Sequence, residues 1–198
     1  MTNDHRYTDA EITAVERVIR ERRDMRHFLP DPLTDGLLER LVEAAHLAPS
    51  VGFMQPWRFL RITDGTLRGR LHEGILDCAE VLVVALMPER ERHIVGRRCL
   101  PEMDVASVGC AIQNMWLLAR AEGVGLGWVS FFEPEALAQL LGMPQGAHPV
   151  AILCIGRVPA FYPRPMFEDS GWGKRLSLED VLFENRWKVG AGGTAPAY

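Results

Sequence analysis

The stretch Arg22–Arg26, with the sequence Arg-Arg-Asp-Met-Arg, places three guanidinium groups and one carboxylate within five residues. We call it the arginine box. Arginine suits phosphate because its planar fork offers several fixed donors and never loses its charge. A solvated basic helix end is the simpler interpretation, since cations are favourable near a helix C-terminus. The box therefore indicates an anion site only if other segments complete a ligand site.

A second candidate is the loop Pro49–Trp57, which is bounded by prolines and contains Gly52. It places the neutral hydrogen-bonding side chains of Ser50 and Gln55 beside large apolar ones. Such a loop suits a flat, partly polar ligand. A plain connector between helix and strand, with Trp57 in the core, is an equal alternative on these residues alone.

A third candidate is the glycine-rich stretch Gly125–Ser130, which passes into a strand. It does not precede a helix, as the dinucleotide-binding fingerprint does. Because glycine has no Cβ, a ligand can approach the backbone closely at this stretch. Gly171–Arg175 adds a second cationic cluster.

Composition narrows the function classes. The 198 residues are 47% hydrophobic and 24% charged, which favours one globular domain. The net charge of −4 argues against nucleic acid or an anionic membrane as a partner. No apolar run approaches the roughly 20 residues of a membrane span, and the polar start Met1–Arg6 lacks a signal-peptide core. We therefore expect a cytoplasmic protein.

The cysteines and histidines do not have metal-ligand spacing. None of the four cysteines forms a C-x-x-C pair, and the six histidines are scattered. We predict no metal site, and we predict buried free thiols at Cys110 and Cys154, which lie in apolar segments.

Two helices flank the arginine box and the Pro49–Trp57 loop. The first is capped by Thr8 or Asp9 and runs into the box, which Pro30 and Pro32 follow. The second is capped by Thr34 or Asp35 and ends near Ala48. Their apolar residues recur at helical spacing: Ile12, Val15, Val18 and Ile19 in the first, and Leu37, Leu38, Leu41, Val42 and Ala45 in the second.

Strands and helices then alternate. The predicted strands are Trp57–Ile62, Val81–Leu86 and Val150–Gly156, together with one at Phe131-Phe132 that the glycine-rich turn Gly125–Ser130 leads into. The predicted helices are Leu67–Ile75, a most buried helix from Asp104 to a cap at Gly123, one from Glu133 to Gly142, and Leu178–Phe183. A basic loop, Pro88–Pro101, and a flexible tail, 188–198, complete the chain. Alternation by itself favours a doubly wound parallel sheet.

Several segments together resemble one family. The box, Ala48–Trp57, Met103-Asp104 with Ala111–Trp116, Gly125–Ser130 and Gly171-Trp172 are similar to the flavoproteins of the nitroreductase fold. Among these they look most like the BluB family, the 5,6-dimethylbenzimidazole synthases, over most of the chain between Arg17 and Trp187. The resemblance implies one α+β domain over residues 1–198, with a mostly antiparallel central sheet wrapped by helices. It also implies an intertwined homodimer with FMN at each interface.

The resemblance also implies roles for individual residues. The cofactor-binding residues are Arg22, Arg23 and Arg26 on the phosphate and ribityl chain, Arg175 as a second phosphate ligand, Ser50, Met54 and Gln55 beside the flavin, and Gly127 and Trp128 near its N5 edge. The catalytic residues are Asp24 and Ser130. Asp24 would act as a general base and Ser130 as a hydroxyl that holds oxygen species or water. Alternatively, Asp24 only pairs with a neighbouring arginine, and Ser130 only caps a turn.

In the BluB family reduced FMN is the substrate. It reacts with O2 and is cut down to 5,6-dimethylbenzimidazole, the lower ligand of cobalamin, and a separate flavin reductase supplies the reduced FMN. Two other functions fit the same resemblance. One is an NAD(P)H-dependent FMN oxidoreductase that reduces nitro or quinone compounds, and the other is an FMN-binding or storage protein without turnover.

One region departs from the family pattern. Between Asp64 and Met103 the chain is shorter than in the family, whose members carry helices there that form a lid over the flavin. We expect the lid to be missing or reduced. Because a flavin-cutting enzyme must exclude bulk water, this departure affects turnover more than flavin binding.

Overall fold

The structure is a computed structural model that describes residues 5–71, 75–87 and 102–187. The chain divides into two compact units, Met1–Pro163 and Arg164–Tyr198, which are described separately. The single-domain organisation stays a prediction. The loop 88–101 and residues 72–74, which both belong to the shortened lid region, and the predicted tail 188–198 lie outside the described residues.

The first unit is built on a four-stranded antiparallel sheet. Its strands are β1 (Trp57–Arg61), β2 (Glu80–Leu86), β3 (Gly125–Val129) and β4 (His148–Gly156), and their order is β1-β2-β4-β3. Every pair is antiparallel. This confirms the α+β sheet implied by the resemblance, and the parallel sheet favoured by alternation alone is wrong.

The lengths of two connecting helices explain why alternation misled. The connections from β1 to β2 and from β3 to β4 contain α3 (Gly65–Leu71) and α5 (Pro134–Leu140), each of seven residues. A helix of seven residues spans only about 10 Å. It is too short to carry the chain back along a strand of seven to nine residues, which is about 23–30 Å long. The chain therefore re-enters the sheet antiparallel.

The core of this unit lies between the sheet and two helices, α2 (Leu37–His46) and α4 (Glu102–Ala121). The strand β2 is buried along nearly its whole length, as its uninterrupted apolar run predicts. The prediction that α4 is a central buried helix is confirmed. Its fully buried residues include Val108, Ala111, Ile112, Met115 and Ala119.

The first helix, α1 (Asp9–Glu21), begins where the sequence predicts. The Thr8 side chain accepts from the Glu11 N–H, and Glu11 accepts from the Thr8 N–H, which completes a capping box. However, α1 has no buried residue. Its apolar residues Val15 and Ile19 are 59% and 57% exposed, so within one chain this apolar face has no full cover.

Several predicted boundaries are corrected. The helix α2 begins after Gly36, whose φ is 76°, and not after Thr34 or Asp35. Glycine tolerates this left-handed turn, and the Leu37 N–H bonds instead to the Thr34 carbonyl. The helix also ends at His46, before the predicted Ala48.

Short helices account for the other boundary differences. The predicted helix Leu67–Ile75 corresponds to α3, which the structure gives as Gly65–Leu71, and Ile75 belongs to a separate 3₁₀ turn, Ile75–Asp77. In the second unit, the helices are α6 (Met166–Asp169) and α7 (Leu178–Val181), so α7 stops two residues before the predicted Phe183.

The prediction of buried thiols is correct for Cys154 and wrong for Cys110. Cys110 lies on the exposed face of α4, whereas Cys78 and Cys154 are buried. A hydrogen bond with the Cys78 thiol, together with burial, raises the pKa of Cys154 far above its usual range. The same hydrogen bond lowers the pKa of Cys78. Cys99 lies outside the described residues.

No helix in the described ranges is both long enough and apolar enough to cross a membrane.

Candidate functional site

The arginine box leaves the helix and becomes extended. The chain exits α1 at Arg22, whose ψ is 134°. Asp24 then forms an isolated parallel bridge with Leu126 of β3, and the Met25 N–H donates to the Leu126 carbonyl at 3.1 Å. The Met25 side chain is only 1% exposed. The box therefore lies along the edge of β3 like a short additional strand.

Gly127 makes this close approach possible. A Cβ at Gly127 would collide with the carbonyl oxygen of Met25 and would lie 3.0 Å from Arg26 Nη1. The close neighbour at this glycine is therefore the arginine box itself, whereas the sequence led us to expect a ligand there. Contact of Gly127 and Trp128 with a flavin stays a prediction.

Asp24 is held by three hydrogen bonds. Its Oδ1 accepts from Arg26 Nη1 at 2.7 Å and from the Trp128 N–H at 2.9 Å. Its Oδ2 accepts from Arg26 Nη2 at 2.6 Å. A carboxylate has about four acceptor positions, so one position on Oδ2 is left. The side chain is 32% exposed, which leaves it reachable by solvent or ligand.

Arg26 uses most of its donors within the chain. Besides the two bonds to Asp24, Nη1 donates to the Met25 carbonyl at 3.2 Å and Nη2 to the Trp128 carbonyl at 3.0 Å. A guanidinium carries five N–H donors. Arg26 therefore binds both carboxylate oxygens of Asp24 and also the carbonyl of Trp128, and it fixes the box against Trp128.

The other two arginines of the box have different surroundings. Arg22 lies over the ring of Trp116 on α4, with its Cζ 4.4 Å from the ring centroid. The rings of Trp116 and Trp128 are 6.3 Å apart. Arg23 instead donates to backbone carbonyls, one of them at Pro163. The three predicted phosphate ligands therefore do not share one orientation.

Tyr162 is a site neighbour that the sequence analysis did not identify. Its hydroxyl accepts from the Arg26 N–H at 3.3 Å and lies 2.8 Å from His27 Nδ1. Tyr162 is 136 residues from Arg26, in the proline-rich loop after β4. No local pattern marks it, because only the folded chain brings that loop to the box.

The loop after α2 is strained. Phe53 and Gln55 have φ values of 56° and 48°, in the left-handed region that favours glycine, and Gly52 has a φ of 58°. The Ser50 hydroxyl accepts from the Gln55 N–H at 3.0 Å. Non-glycine residues in this region persist only where the surroundings enforce them, and such strain is common at ligand sites.

The helix α4 connects this loop to the arginine box. Near its start, Ser107 accepts from the Val51 N–H at 3.3 Å. Nine residues later, Trp116 Nε1 donates to the Arg23 carbonyl at 3.1 Å. Nine helical residues span about 14 Å. The described residues therefore place a neutral polar loop and a cationic box on one rigid element.

For the remaining predicted site residues, Ser130, Met54 and Arg175, the structure gives the position of each within its own segment. Ser130 follows β3 directly, two positions after Trp128, and is exposed. Met54 lies in the strained loop and is half-buried. Arg175 belongs to the second unit, where its Nε lies 4.0 Å from Glu168 Oε1. The roles predicted for these three residues stay predictions.

Within the described ranges, no three histidine, cysteine, aspartate or glutamate side chains lie together as a metal site would require. What the arrangement offers is cationic and neutral donors around one partly exposed carboxylate. Such a set can bind an anionic, partly aromatic ligand and accept a proton from it.

Comparison with known proteins places these features in a family. The model of the nitroreductase family matches residues 19–92 and 70–157. A 5,6-dimethylbenzimidazole synthase of Rhodospirillum rubrum is 36% identical, and the match covers 78% of this chain and 86% of that protein. A second protein of that name, from Rhodobacter capsulatus, is 35% identical over 84% of this chain and 94% of its own length.

The fold is also similar to that of a solved structure, an NADPH:FMN oxidoreductase from Vibrio harveyi complexed with NAD+. The TM-score is 0.75 at 22% identity, over 88% of this chain and 78% of that one. At that identity the likeness concerns the fold alone.

Proposed function

Because this chain belongs to the nitroreductase family, we propose that it binds FMN beside the arginine box and converts reduced FMN and O2 to 5,6-dimethylbenzimidazole. The observation that carries the proposal is the position of Asp24. This carboxylate is oriented by Arg26 and by the Trp128 N–H, it keeps one acceptor position, and it is partly exposed. The two similar proteins named 5,6-dimethylbenzimidazole synthase support the choice of reaction.

The donors of the first unit fit the chemistry of FMN. Arg22 lies over Trp116 of α4 and Arg26 binds the carbonyl of Trp128, whose ring is 6.3 Å from that of Trp116. Two cations on this side of the box suit a phosphate and hydroxyl groups. Ser50 and Gln55 are neutral groups in the loop bonded to the start of α4, which suits the polar edge of a flat ring system.

In the proposed reaction, bound reduced FMN supplies the electrons for O2 and the ring system that becomes the product. Asp24 Oδ2 accepts a proton from the ribityl side through its remaining acceptor position. Arg26 and the Trp128 N–H hold the Asp24 carboxylate in one orientation, so little reorganisation is needed. Ser130, at the end of β3, provides a hydroxyl that can donate or accept.

A second candidate is an FMN oxidoreductase that keeps its flavin and takes electrons from NAD(P)H. One observation favours it. The two-point pairing of Asp24 with Arg26, at 2.6 and 2.7 Å, is also what a structural counter-ion would show.

The deciding experiment mixes the protein with chemically reduced FMN in air and measures 5,6-dimethylbenzimidazole by chromatography. With chemically reduced FMN, the wild-type protein should form product without any other protein. When a flavin reductase and NAD(P)H are used in place of the chemical reductant, product should also form. If no product forms, but FMN is bound and NAD(P)H is oxidised when a quinone is added, the second candidate is correct.

We further propose a homodimer. The face of α1 that carries Val15 and Ile19 is exposed although both are apolar, and an uncovered apolar face favours association. In sedimentation experiments the wild-type protein should have twice the mass of one chain. Ile19→Asp should shift the population toward the monomer, whereas Glu16→Asp, on the same helix, should not. A monomeric wild-type protein would contradict this proposal.

A further inference from the structure

The Arg23 side chain is directed at the backbone of its own chain. Its Nη1 donates to the carbonyls of Arg20 and Arg22, both at 2.8 Å, and Nη2 donates to the Pro163 carbonyl at 3.0 Å. The Arg20 and Arg22 carbonyls lie at the C-terminal end of α1, where a helix leaves carbonyl acceptors without intrahelical partners. Arg23 therefore joins the end of α1 to the loop that follows β4.

Arg23 also lies on a different side of the box from the other charged residues. In an extended segment, successive side chains point to opposite sides. Asp24 and Arg26 bond to Trp128, and Arg22 lies over Trp116. The Nε of Arg23, in contrast, is enclosed, with no hydrogen-bond partner among the described atoms.

The main chain at Arg23 is held as well. Its carbonyl accepts from Trp116 Nε1 at 3.1 Å. One residue is thus tied to α1, to α4 and to Pro163. The loop that contains Pro163 also carries Tyr162, whose hydroxyl bonds to the Arg26 N–H. The orientation of the extended segment Asp24–Arg26 depends on these ties.

We propose that Arg23 is a positioning residue of the flavin site: it does not bind the phosphate, and it fixes the segment that presents Arg22, Asp24 and Arg26. This inference rests on the proposed function of the box. It divides the three arginines, which the sequence treats as equivalent, into Arg23, which binds backbone carbonyls of α1 and of the loop after β4, and two that lie beside Trp116 and Trp128.

Replacing Arg23 by lysine distinguishes its two possible roles, phosphate binding and positioning of the segment. A lysine can still bind a phosphate as a point charge, but it lacks the planar fork that reaches several carbonyls in fixed directions. If Arg23 contacted the phosphate, Arg23→Lys would keep much of the preference for FMN. If Arg23 positions the segment, Arg23→Lys should be as damaging as Arg23→Gln.

The experiment measures the dissociation constants of FMN and riboflavin for the wild-type protein, Arg23→Lys and Arg23→Gln. Riboflavin lacks the phosphate, so the ratio of the two constants reports the contribution of the phosphate. The matched control is Arg68→Gln. Arg68 also donates to three backbone carbonyls, those of Ile62, Cys78 and Ala79, at 2.8, 3.0 and 3.1 Å.

We expect both Arg23 variants to weaken FMN and riboflavin by the same factor, roughly fivefold, with the ratio unchanged. Arg68→Gln should lower the melting temperature about as much as the Arg23 variants do, because it also loses three bonds to backbone carbonyls. It should leave both dissociation constants unchanged. A loss of affinity confined to the Arg23 variants is a result that a merely structural role would not produce.

Two results would overturn the inference. One is a fall in the FMN preference of Arg23→Gln that Arg23→Lys restores, which would make Arg23 a phosphate ligand. The other is flavin affinities in both Arg23 variants that stay at the wild-type values, as in the control. A wild-type protein that binds neither flavin gives a distinct pattern, because it overturns the proposed function and the positioning role with it.

Discussion

The arginine box and the loop from Ser50 to Gln55 are held in place in opposite ways. In the box, Asp24 and Arg26 direct nearly all their polar atoms to each other and to Trp128. In the loop, Gln55 has an unfavourable φ of 48°, and one side-chain hydrogen bond, from its N–H to Ser50, closes the turn.

This difference separates two ways of preparing a site. The box is preorganised by satisfied hydrogen bonds, so its geometry should change little when a ligand binds. The loop stores backbone strain of about 1–3 kcal/mol for each such residue. Substitutions in the box should therefore strongly lower product formation or the free energy of unfolding. Substitutions that relieve the strain of the loop should raise the free energy of unfolding and weaken FMN binding.

The largest effect is expected for Asp24→Asn. Product formation should fall by about 10²–10⁴-fold, because the amide cannot act as a base. FMN binding should change little, and stability should fall by only about 1 kcal/mol, since the pair with Arg26 is about a third exposed and screened. Chromatography of the product and flavin titration test this.

Asp31→Asn is the matched control for that variant. Asp31 is exposed and lies after the box, so the same change of charge should leave product formation intact. If FMN binding is lost together with the product in Asp24→Asn, then Asp24 is a structural residue, and the box and the loop would differ less than we infer.

The next effect concerns Gly127→Ala. The added methyl group would collide with the Met25 carbonyl, which is backbone and cannot move alone. We expect a loss of about 2–3 kcal/mol of unfolding free energy in denaturant titrations. The same substitution at Gly69, in α3, meets nothing within 4 Å and should instead stabilise by about 0.5–1 kcal/mol. Equal effects at the two glycines would contradict the close packing of the box on β3.

A smaller effect of opposite sign is expected for Gln55→Gly. Glycine tolerates the positive φ, so the protein should gain about 1 kcal/mol of stability. It should also lose FMN affinity, because the side-chain amide is removed. Gln55→Ala removes the same amide and keeps the strain, so it should lose affinity without gaining stability. A destabilised Gln55→Gly would show that the loop is not strained.

The smallest effect is expected for Ser50→Ala. The Gln55 N–H would lose its acceptor at 3.0 Å, which should lower the unfolding free energy by about 0.5 kcal/mol. Ser50→Thr keeps the hydroxyl and should stay close to the wild type. If Ser50→Ala destabilises as strongly as Gly127→Ala, the loop depends on its hydrogen bonds as much as the box does.

Local signals predicted many elements correctly. Thr8 caps α1 and Gly123 follows α4 because a cap depends on only a few neighbouring residues. The apolar run of β2 identified a buried strand for a similar reason. The cap at Gly36 was missed because Thr34 and Asp35 are also good capping residues, and the choice depends on how the preceding chain enters the helix.

Burial was harder to predict than secondary structure. The apolar residues of α1 have helical spacing, yet none is buried in one chain. Cys110 lies in an apolar stretch and is nevertheless exposed on α4. Periodicity shows which residues share a face, but only the neighbouring elements decide whether that face is covered.

For the arginine box, the sequence by itself determined which charges are present, that they follow a helix, and which family they resemble. It did not separate Arg23 from Arg22 and Arg26, because all three are the same residue type within five positions. Only the tertiary structure did so, since Pro163 lies 140 residues away from Arg23. Residue type sets what a side chain can bind, whereas contacts between distant parts of the chain decide which of those bonds are already made.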